Sequence, residues 1–252
     1  MELWVKCEGL NPTGSFKDRG MALAVSRALE RGNAGVVCAS TGNTAASAAA
    51  YAARAGLRAV VVTSGGAVAR GKIAQVRAAG AELREIDGTF NDAHLEARRL
   101  AEEEGLVNVN SINPDRIEGQ SSAAHEVVEQ LGGLPDVLAL PFGGGGNTVA
   151  YSRGFGEDLP RFVLGEAARR HDTFASAIRI GDPVHRAEVD VVLERSNGLA
   201  LALSEEQLAA PGTLWRARRG SSASPPARPG SRPSRRQACA TYASSASSRG
   251  TA

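Results

Sequence analysis

Between residues 3 and 140 short apolar runs alternate with helix-patterned stretches, and no other feature restricts the fold so sharply. Leu3-Trp4-Val5-Lys6-Cys7 reads as a strand, and the turn residues Asn11-Pro12-Thr13-Gly14-Ser15 lead into a helix over about 16–31. Strands follow at 34–39, 58–63, 82–86, 107–109 and 136–140, separated by helices over 44–55, 71–79, 90–104 and 117–131. A helix that returns the chain to the same end after each strand makes neighbouring strands parallel. The pattern therefore predicts an α/β fold of open parallel sheets with helices on both faces. Ligands of such sheets bind beyond the carboxyl ends of the strands, where the polar and glycine-rich turns of this chain fall.

After a glycine-rich turn at 143–146 the pattern predicts a helix, a short strand at 161–164 and less regular structure to about Ala210. Residues 221–252 are mostly serine, arginine, proline and alanine, with almost no aliphatic side chains. Such a stretch cannot bury enough apolar surface to offset chain entropy, so a basic tail over 211–252 without a fold is expected. Charge divides at the same place: from Thr213 onward there are eight arginines and no acid, and the rest of the chain has net charge −6. With 42% hydrophobic residues, 252 residues suffice for one large or two modest domains, which excludes collagen, coiled coil and full disorder. No apolar run approaches the ~20 residues of a bilayer span and the first residues lack the regions of a signal peptide. A cytoplasmic protein with no membrane partner is the expectation. Cys7, Cys38 and Cys239 are too scattered for a disulfide framework or a metal knuckle, so reduced thiols and no metal are expected.

Three constellations have the makings of chemistry. The first is Gly14-Ser15-Phe16-Lys17-Asp18-Arg19-Gly20, with one of only three lysines (Lys6, Lys17, Lys72) in the opening turn of a helix. The positive end of the helix dipole disfavours a charged lysine there, and a lysine of lowered pKa is an amine able to form a Schiff base with a carbonyl cofactor. The plainer alternative is a solvated lysine paired with Asp18. The second is Ser40-Thr41-Gly42-Asn43-Thr44, whose hydroxyl and amide groups at a helix start suit a carboxylate or phenolate oxygen, or simply an N-cap by Ser40 or Thr41. The third is Gly143-Gly144-Gly145-Gly146 before Asn147 and Thr148, where backbone N–H groups can close round a phosphate, or form no more than a flexible loop. It has neither the Lys-Ser/Thr of a Walker loop nor a dinucleotide spacing.

An aldehyde-capturing lysine, a ring-oxygen and carboxylate loop and a phosphate cup are what pyridoxal 5′-phosphate requires. The segments 8–21 and 39–48, with Asn110-Ser111-Ile112-Asn113-Pro114, Arg116-Ile117-Glu118-Gly119-Gln120 and Ala175-Ser176-Ala177-Ile178-Arg179-Ile180-Gly181, resemble the threonine synthase family. That family lies within the fold-type II pyridoxal-phosphate enzymes, which are tryptophan synthase β-like. The match runs over about 3–208. It implies two domains with the cofactor between them: a smaller one over 11–118 and a larger one from 1–10 and 119–210. It implies Lys17 as the Schiff-base lysine and proton shuttle, Asn43 at the cofactor's phenolic oxygen, and Gly143, Gly144, Gly145, Gly146 and Asn147 around its phosphate. Gly144-Gly145 stand where the family commonly has Asn-Ala. Ser40, Thr41 and Thr44 are implied for the substrate carboxylate, and Lys72, Asn110, Ser111 and Arg116 for its phosphate. The plainer alternative for Arg116 is a surface ion pair with Asp115 or Glu118. The implied reaction converts O-phosphohomoserine and water to threonine and phosphate, and a homodimer is implied with it. A pyridoxal-phosphate serine/threonine dehydratase is the enzymatic alternative, and an inactive fragment with incidental, nonspecific nucleic-acid binding by its arginines is the other.

Two departures from the family are expected to matter. The family carries more chain before the lysine strand, and it continues through a Glu-Pro-Ala-Ser segment where the basic tail stands. If the reading frame is moved back by one base, residues 214–230 can be decoded as Leu-Ala-Arg-Glu-Glu-Gly-Val-Phe-Cys-Glu-Pro-Ala-Ser-Ala-Ala-Gly. The expectation is a frameshift before about Leu214, which codons of the encoding DNA incompatible with that reading would refute.

Overall fold

In the computed structural model of this chain, residues 2–64, 70–210 and 237–241 are described. Of these, 8–64 with 70–123 form one compact unit, and 2–7 with 124–210 and 237–241 form the other. The division falls a few residues either side of the 11–118 suggested by the motifs.

In the first unit the strands β2 (Gly35–Ala39), β3 (Arg58–Ser64), β4 (Glu82–Ile86) and β5 (Leu106–Asn108) form a parallel sheet in the order β4-β3-β2-β5. Four helices belong with them: α1 (Lys17–Glu30), α2 (Asn43–Ala55), α3 (Arg70–Ala78) and α4 (Phe90–Glu104). Alternation along the strands divides the core in two. Val36, Cys38 and Val61 pack with Met21, Ala24 and Val25 of α1 and with Ala45, Ala48, Ala49 and Ala52 of α2. Their neighbours Val37, Ala39, Val60 and Val62 face the other way and pack with Ala93, Ala97 and Leu100 of α4. A sheet covered on both faces needs apolar residues at every strand position, which is why these strands read as continuous apolar runs.

Helix α4 begins where the pattern places it, because Thr89 and Asp92 close a capping box. Helix α5 (Pro114–Leu131) begins three residues before the expected 117. Asn113 Oδ1 accepts from the N–H groups of Asp115 (2.9 Å) and Arg116 (3.3 Å), and Pro114 takes the first helical position, where a missing N–H costs nothing.

The second unit has a parallel sheet in the order β1-β9-β6-β7-β8, from β1 (Glu2–Lys6), β6 (Val137–Pro141), β7 (Arg161–Ala167), β8 (Leu199–Leu203) and β9 (Gln237–Thr241), with α6 (Gly146–Phe155), α7 (Arg186–Arg195) and α8 (Glu205–Ala209). Strand β9 departs from the expectation of no fold in 211–252. It pairs with β1 over five residues and with β6 over three. Backbone pairing asks little of side-chain chemistry, so a composition that could build no core of its own can still add a strand to existing ones. The rest of the tail, including the shifted-frame segment 214–230, lies outside the described residues. Cys7 is an exposed free thiol and Cys38 a buried one. Among the described residues no helix is long and apolar enough to cross a membrane, and no group of three or more His, Cys, Asp or Glu is placed to hold a metal.

Candidate functional site

Lys17 opens α1 after a turn held by Asp18. The Asp18 carboxylate is buried and accepts three hydrogen bonds, from the Thr13 N–H (2.7 Å), the Thr13 hydroxyl (2.6 Å) and the Ser47 hydroxyl of α2 (2.6 Å). Those bonds tie the turn, α1 and α2 together, and they engage Asp18 elsewhere than with Lys17. The Lys17 ammonium group instead lies over the Phe16 ring, 4.6 Å from its centre. Burial, and then repulsion from Arg116, lower the Lys17 pKa from 10.5 to about 7. Near neutral pH a large fraction of such an amine is uncharged and nucleophilic.

Arg116 is not a surface residue. Its side chain is among the largest wholly enclosed in the chain, at 0% exposure. The neighbouring acids pair with other partners: Asp115 with Arg27 (2.5 Å) and Arg31 (3.1 Å), and Glu118 with Arg27 (2.6 Å). Arg116 Nη1 donates to the Val109 carbonyl (3.0 Å), while Nε and Nη2 are buried and have no partner among the described residues. Burial lowers its pKa to about 10. Nearby Cys38 has its thiol pushed up to about 12, chiefly by burial, so it is an inert wall rather than a nucleophile.

Two glycines bring these cations together. A Cβ on Gly20 of α1 would lie 2.5 Å from the Arg116 carbonyl oxygen, and one on Gly119 of α5 would lie 2.6 Å from the Arg19 carbonyl oxygen. The helices touch backbone to backbone, one turn beyond Lys17 on one side and one turn beyond Arg116 on the other.

The remaining candidates of this unit lie at the start of α2, in the first turn of α3 and in the loop before α5. Ser40 accepts from the Gly42 N–H (3.1 Å), and Gly42, not Ser40 or Thr41, is the N-cap of α2, without a side-chain bond. Thr41, Asn43 and Thr44 are half-buried and make no side-chain hydrogen bond among the described residues. Lys72 donates to the Thr13 carbonyl (2.9 Å) and lies against Gly14. Asn110 is tied to the end of β2: its Oδ1 accepts from the Ala39 N–H (3.0 Å) and its Nδ2 donates to the Ala39 carbonyl (2.9 Å), which leaves one acceptor site and one donor of the amide for another partner. It pairs with the end of β2 as another strand would. Ser111, half-buried, begins the loop between Asn110 and α5.

In the other unit Gly143 to Gly146 follow β6 and lead into α6, whose first turn holds Asn147. The loop is shaped and not slack. Gly145 has φ +88°, and a Cβ there would lie 2.9 Å from Val189 Cγ2. A Cβ on Gly143 would lie 3.1 Å from the Ala177 carbonyl oxygen. The His185 N–H donates to the Gly144 carbonyl (3.1 Å), so residues 177–189 lie along the loop. Glycine there leaves N–H groups and the start of α6 as the features an anion would meet.

Sequence reasoning missed three contributors: Asp18 as the anchor of the lysine turn, the glycine contact between α1 and α5, and the segment over the glycine loop. Only Asp18 had a signal, a carboxylate beside a lysine motif with Thr13 five residues before it.

A family model described as "Pyridoxal-phosphate dependent enzyme" matches residues 1–217. The threonine synthase of Bacillus sp. (strain ULM1) is 46% identical over 226 residues, covering 82% of this chain and 64% of that protein. The threonine synthase of Mycobacterium tuberculosis (strain ATCC 25618 / H37Rv) is 47% identical over 226 residues, with 82% and 63% covered. The chain thus spans a little under two thirds of the length of these relatives. A solved structure of maize serine racemase superposes with a TM-score of 0.77 at 21% identity, over 95% of this chain and 82% of that one, a likeness of fold. On the residues and the fold together, the chain belongs to the pyridoxal-phosphate dependent enzyme family and is similar to its threonine synthases.

Proposed function

We propose that this chain carries a threonine synthase centre, acting on O-phosphohomoserine and water to form L-threonine and phosphate, with pyridoxal 5′-phosphate as its cofactor. The residues present fit that cofactor: Lys17 is an amine of lowered pKa, and the glycine loop has room for N–H donation and for little else. Lys17 would hold the cofactor's aldehyde carbon, Asn43 its ring oxygen, and Gly143 to Gly146 with Asn147 its phosphate. When bound, the cofactor supplies an electron sink for the substrate carbon that loses a proton.

The observation that carries the substrate assignment is Arg116. A guanidinium with two buried, unpartnered donors is costly by several kcal/mol unless an anion joins it. A phosphate monoester meets that need with a bidentate pair of charge-assisted hydrogen bonds. A serine or threonine dehydratase brings only the substrate carboxylate, which this reading assigns to Ser40, Thr41 and Thr44. In this reading Arg116 and Lys72 hold the substrate phosphate and steady its charge as it leaves Cγ. Ser40, Thr41 and Thr44 hold the carboxylate, and Ser111 assists at the phosphate. Asn110 keeps the 110–113 loop in register with β2. Lys17 removes protons from the substrate carbons, and its pKa near neutrality suits both taking up and returning a proton. A homodimer and a cytoplasmic setting belong to the same proposal.

The test is release of threonine and phosphate from O-phosphohomoserine, with Arg116→Met beside the parent. The variant should raise KM at least tenfold while pyridoxal phosphate is still trapped on Lys17 by borohydride, as located by peptide mass. A 2-oxo acid formed from threonine with no phosphate released, or an unchanged KM in Arg116→Met, refutes the assignment.

A further inference from the structure

We propose that Arg170 is a positioning residue for the glycine loop, holding residues 143–146 in their anion-receiving shape without touching the anion. The inference rests on the reading of that loop as the cofactor's phosphate site.

The loop's shape depends on the segment lying along it, so whatever fixes that segment fixes the loop. Arg170 reaches both. Its guanidinium carbon lies over the buried ring of Phe142, 4.7 Å from the ring centre, and Phe142 is the residue directly before Gly143. The same group donates to the Ile180 carbonyl (3.4 Å), and Ile180 Cδ1 lies 3.4 and 3.5 Å from where Cβ atoms would stand on Gly143 and Gly144. Glu166, near the end of β7, pairs with Arg170 Nη2. One planar side chain thereby joins the entry of the loop to its cover.

Packing alone accounts poorly for the cluster. Arg186 approaches the same Phe142 ring, 5.6 Å from its centre, and lies 3.9 Å from the same Glu166 carboxylate. Burial and the charge of Arg186 both lower the Arg170 pKa, so holding two guanidinium groups at one ring has an electrostatic cost. An apolar side chain would fill the space without that cost. What it would lack is a flat face for Phe142 together with an in-plane donor for the Ile180 carbonyl, a combination particular to guanidinium. Preorganisation of this kind acts on affinity by removing the need to order the loop at binding.

The experiment titrates the full chain and the variants Arg170→Met and Arg170→Lys with pyridoxal 5′-phosphate and with pyridoxal, following bound-cofactor absorbance, alongside thermal melts. The expected result is at least tenfold weaker binding of pyridoxal phosphate in both variants, with pyridoxal binding within twofold of the parent. Lysine should fail to rescue, because it keeps the charge and loses the plane. Equal weakening of both ligands assigns Arg170 a general folding role and overturns the inference. Parent-like binding in Arg170→Met overturns it, and so does full rescue by lysine, which would make the effect one of charge. A parent chain that binds neither ligand defeats the reading of the site itself, and this inference with it.

Discussion

Replacing Gly119 with alanine sets two known effects against each other. Alanine is favoured over glycine within a helix by about 1 kcal/mol, so propensity alone predicts a gain. Against it, the new Cβ would lie 2.6 Å from the Arg19 carbonyl oxygen and 2.9 Å from the Gly20 Cα, both backbone atoms that no rotamer change can move. Relief to an ordinary contact of 3.4 Å requires α1 and α5 to separate by about 0.8 Å. Overpacking of this kind costs about 1–3 kcal/mol, and the loss of close-packed contacts along both helices puts Gly119→Ala at the upper end. The net is a destabilisation of about 1–2 kcal/mol, or a fall in Tm of about 2–8 °C for a chain of this size. Gly71→Ala in α3 is the control, since its Cβ would meet nothing within 4 Å and should raise Tm by about 2–4 °C. Differential scanning calorimetry of the three proteins makes the comparison. A Gly119→Ala protein as stable as the parent, or more so, would mean that the helices do not touch as described. Because the same contact sets Lys17 near Arg116, the variant should also move the Lys17 pKa back toward 10.5, readable from the pH profile of amine modification at that residue.

Two further substitutions test the lysine turn. Lys17→Met should stabilise the cofactor-free chain, because the folded-state pKa of about 7 lies below the unfolded value of 10.5. The folded form then binds fewer protons between those values, so its stability rises with pH across that window and the penalty is complete below about pH 7. The fall in pKa corresponds to at most about 5 kcal/mol, and partial exposure of Lys17 reduces this to about 2–3 kcal/mol, an advantage that should vanish above about pH 10.5. Urea unfolding at pH 7 and pH 10.5 measures it, and an advantage that does not shrink with pH speaks against a buried charge. Asp18→Asn turns an acceptor of three hydrogen bonds into an amide that sets its own N–H groups against a donor. A loss of about 2–4 kcal/mol is expected in urea, and a loss below 1 kcal/mol would mean that the carboxylate is not the anchor of the turn.

How much was legible follows from the range of each interaction. Strands β2, β3 and β4 and helix α4 lie within a residue of their expected bounds, because unbroken apolar runs and the Thr89–Asp92 box are local signals. Helix α5 begins earlier than expected because the periodic apolar pattern starts at Ile117, while the cap at Asn113 is visible only when its hydrogen bonds are traced. Among the candidate residues, Lys17 and Arg116 stand out by motif. Their plainer alternatives, pairing with Asp18 and with Asp115 or Glu118, fail for one reason. Each acid is claimed by partners distant in the chain: Ser47 for Asp18, and Arg27 for Asp115 and Glu118. The pairing of Asn110 with Ala39 of β2 is invisible in the motif, because the partner lies 71 residues away in the chain.

By itself, the sequence determined the parallel α/β character, the helix starts that carry the motifs, and the residue types of the candidate site. These depend on apolar period, turn chemistry and neighbours a few residues apart. Only the tertiary structure decided which charges are paired and which are left without partners. Desolvation is a property of everything packed around a group, and the Lys17 amine near pH 7 and the unpartnered Arg116 donors both arise where Gly20 and Gly119 let two helices, a hundred residues apart in the chain, close to backbone contact.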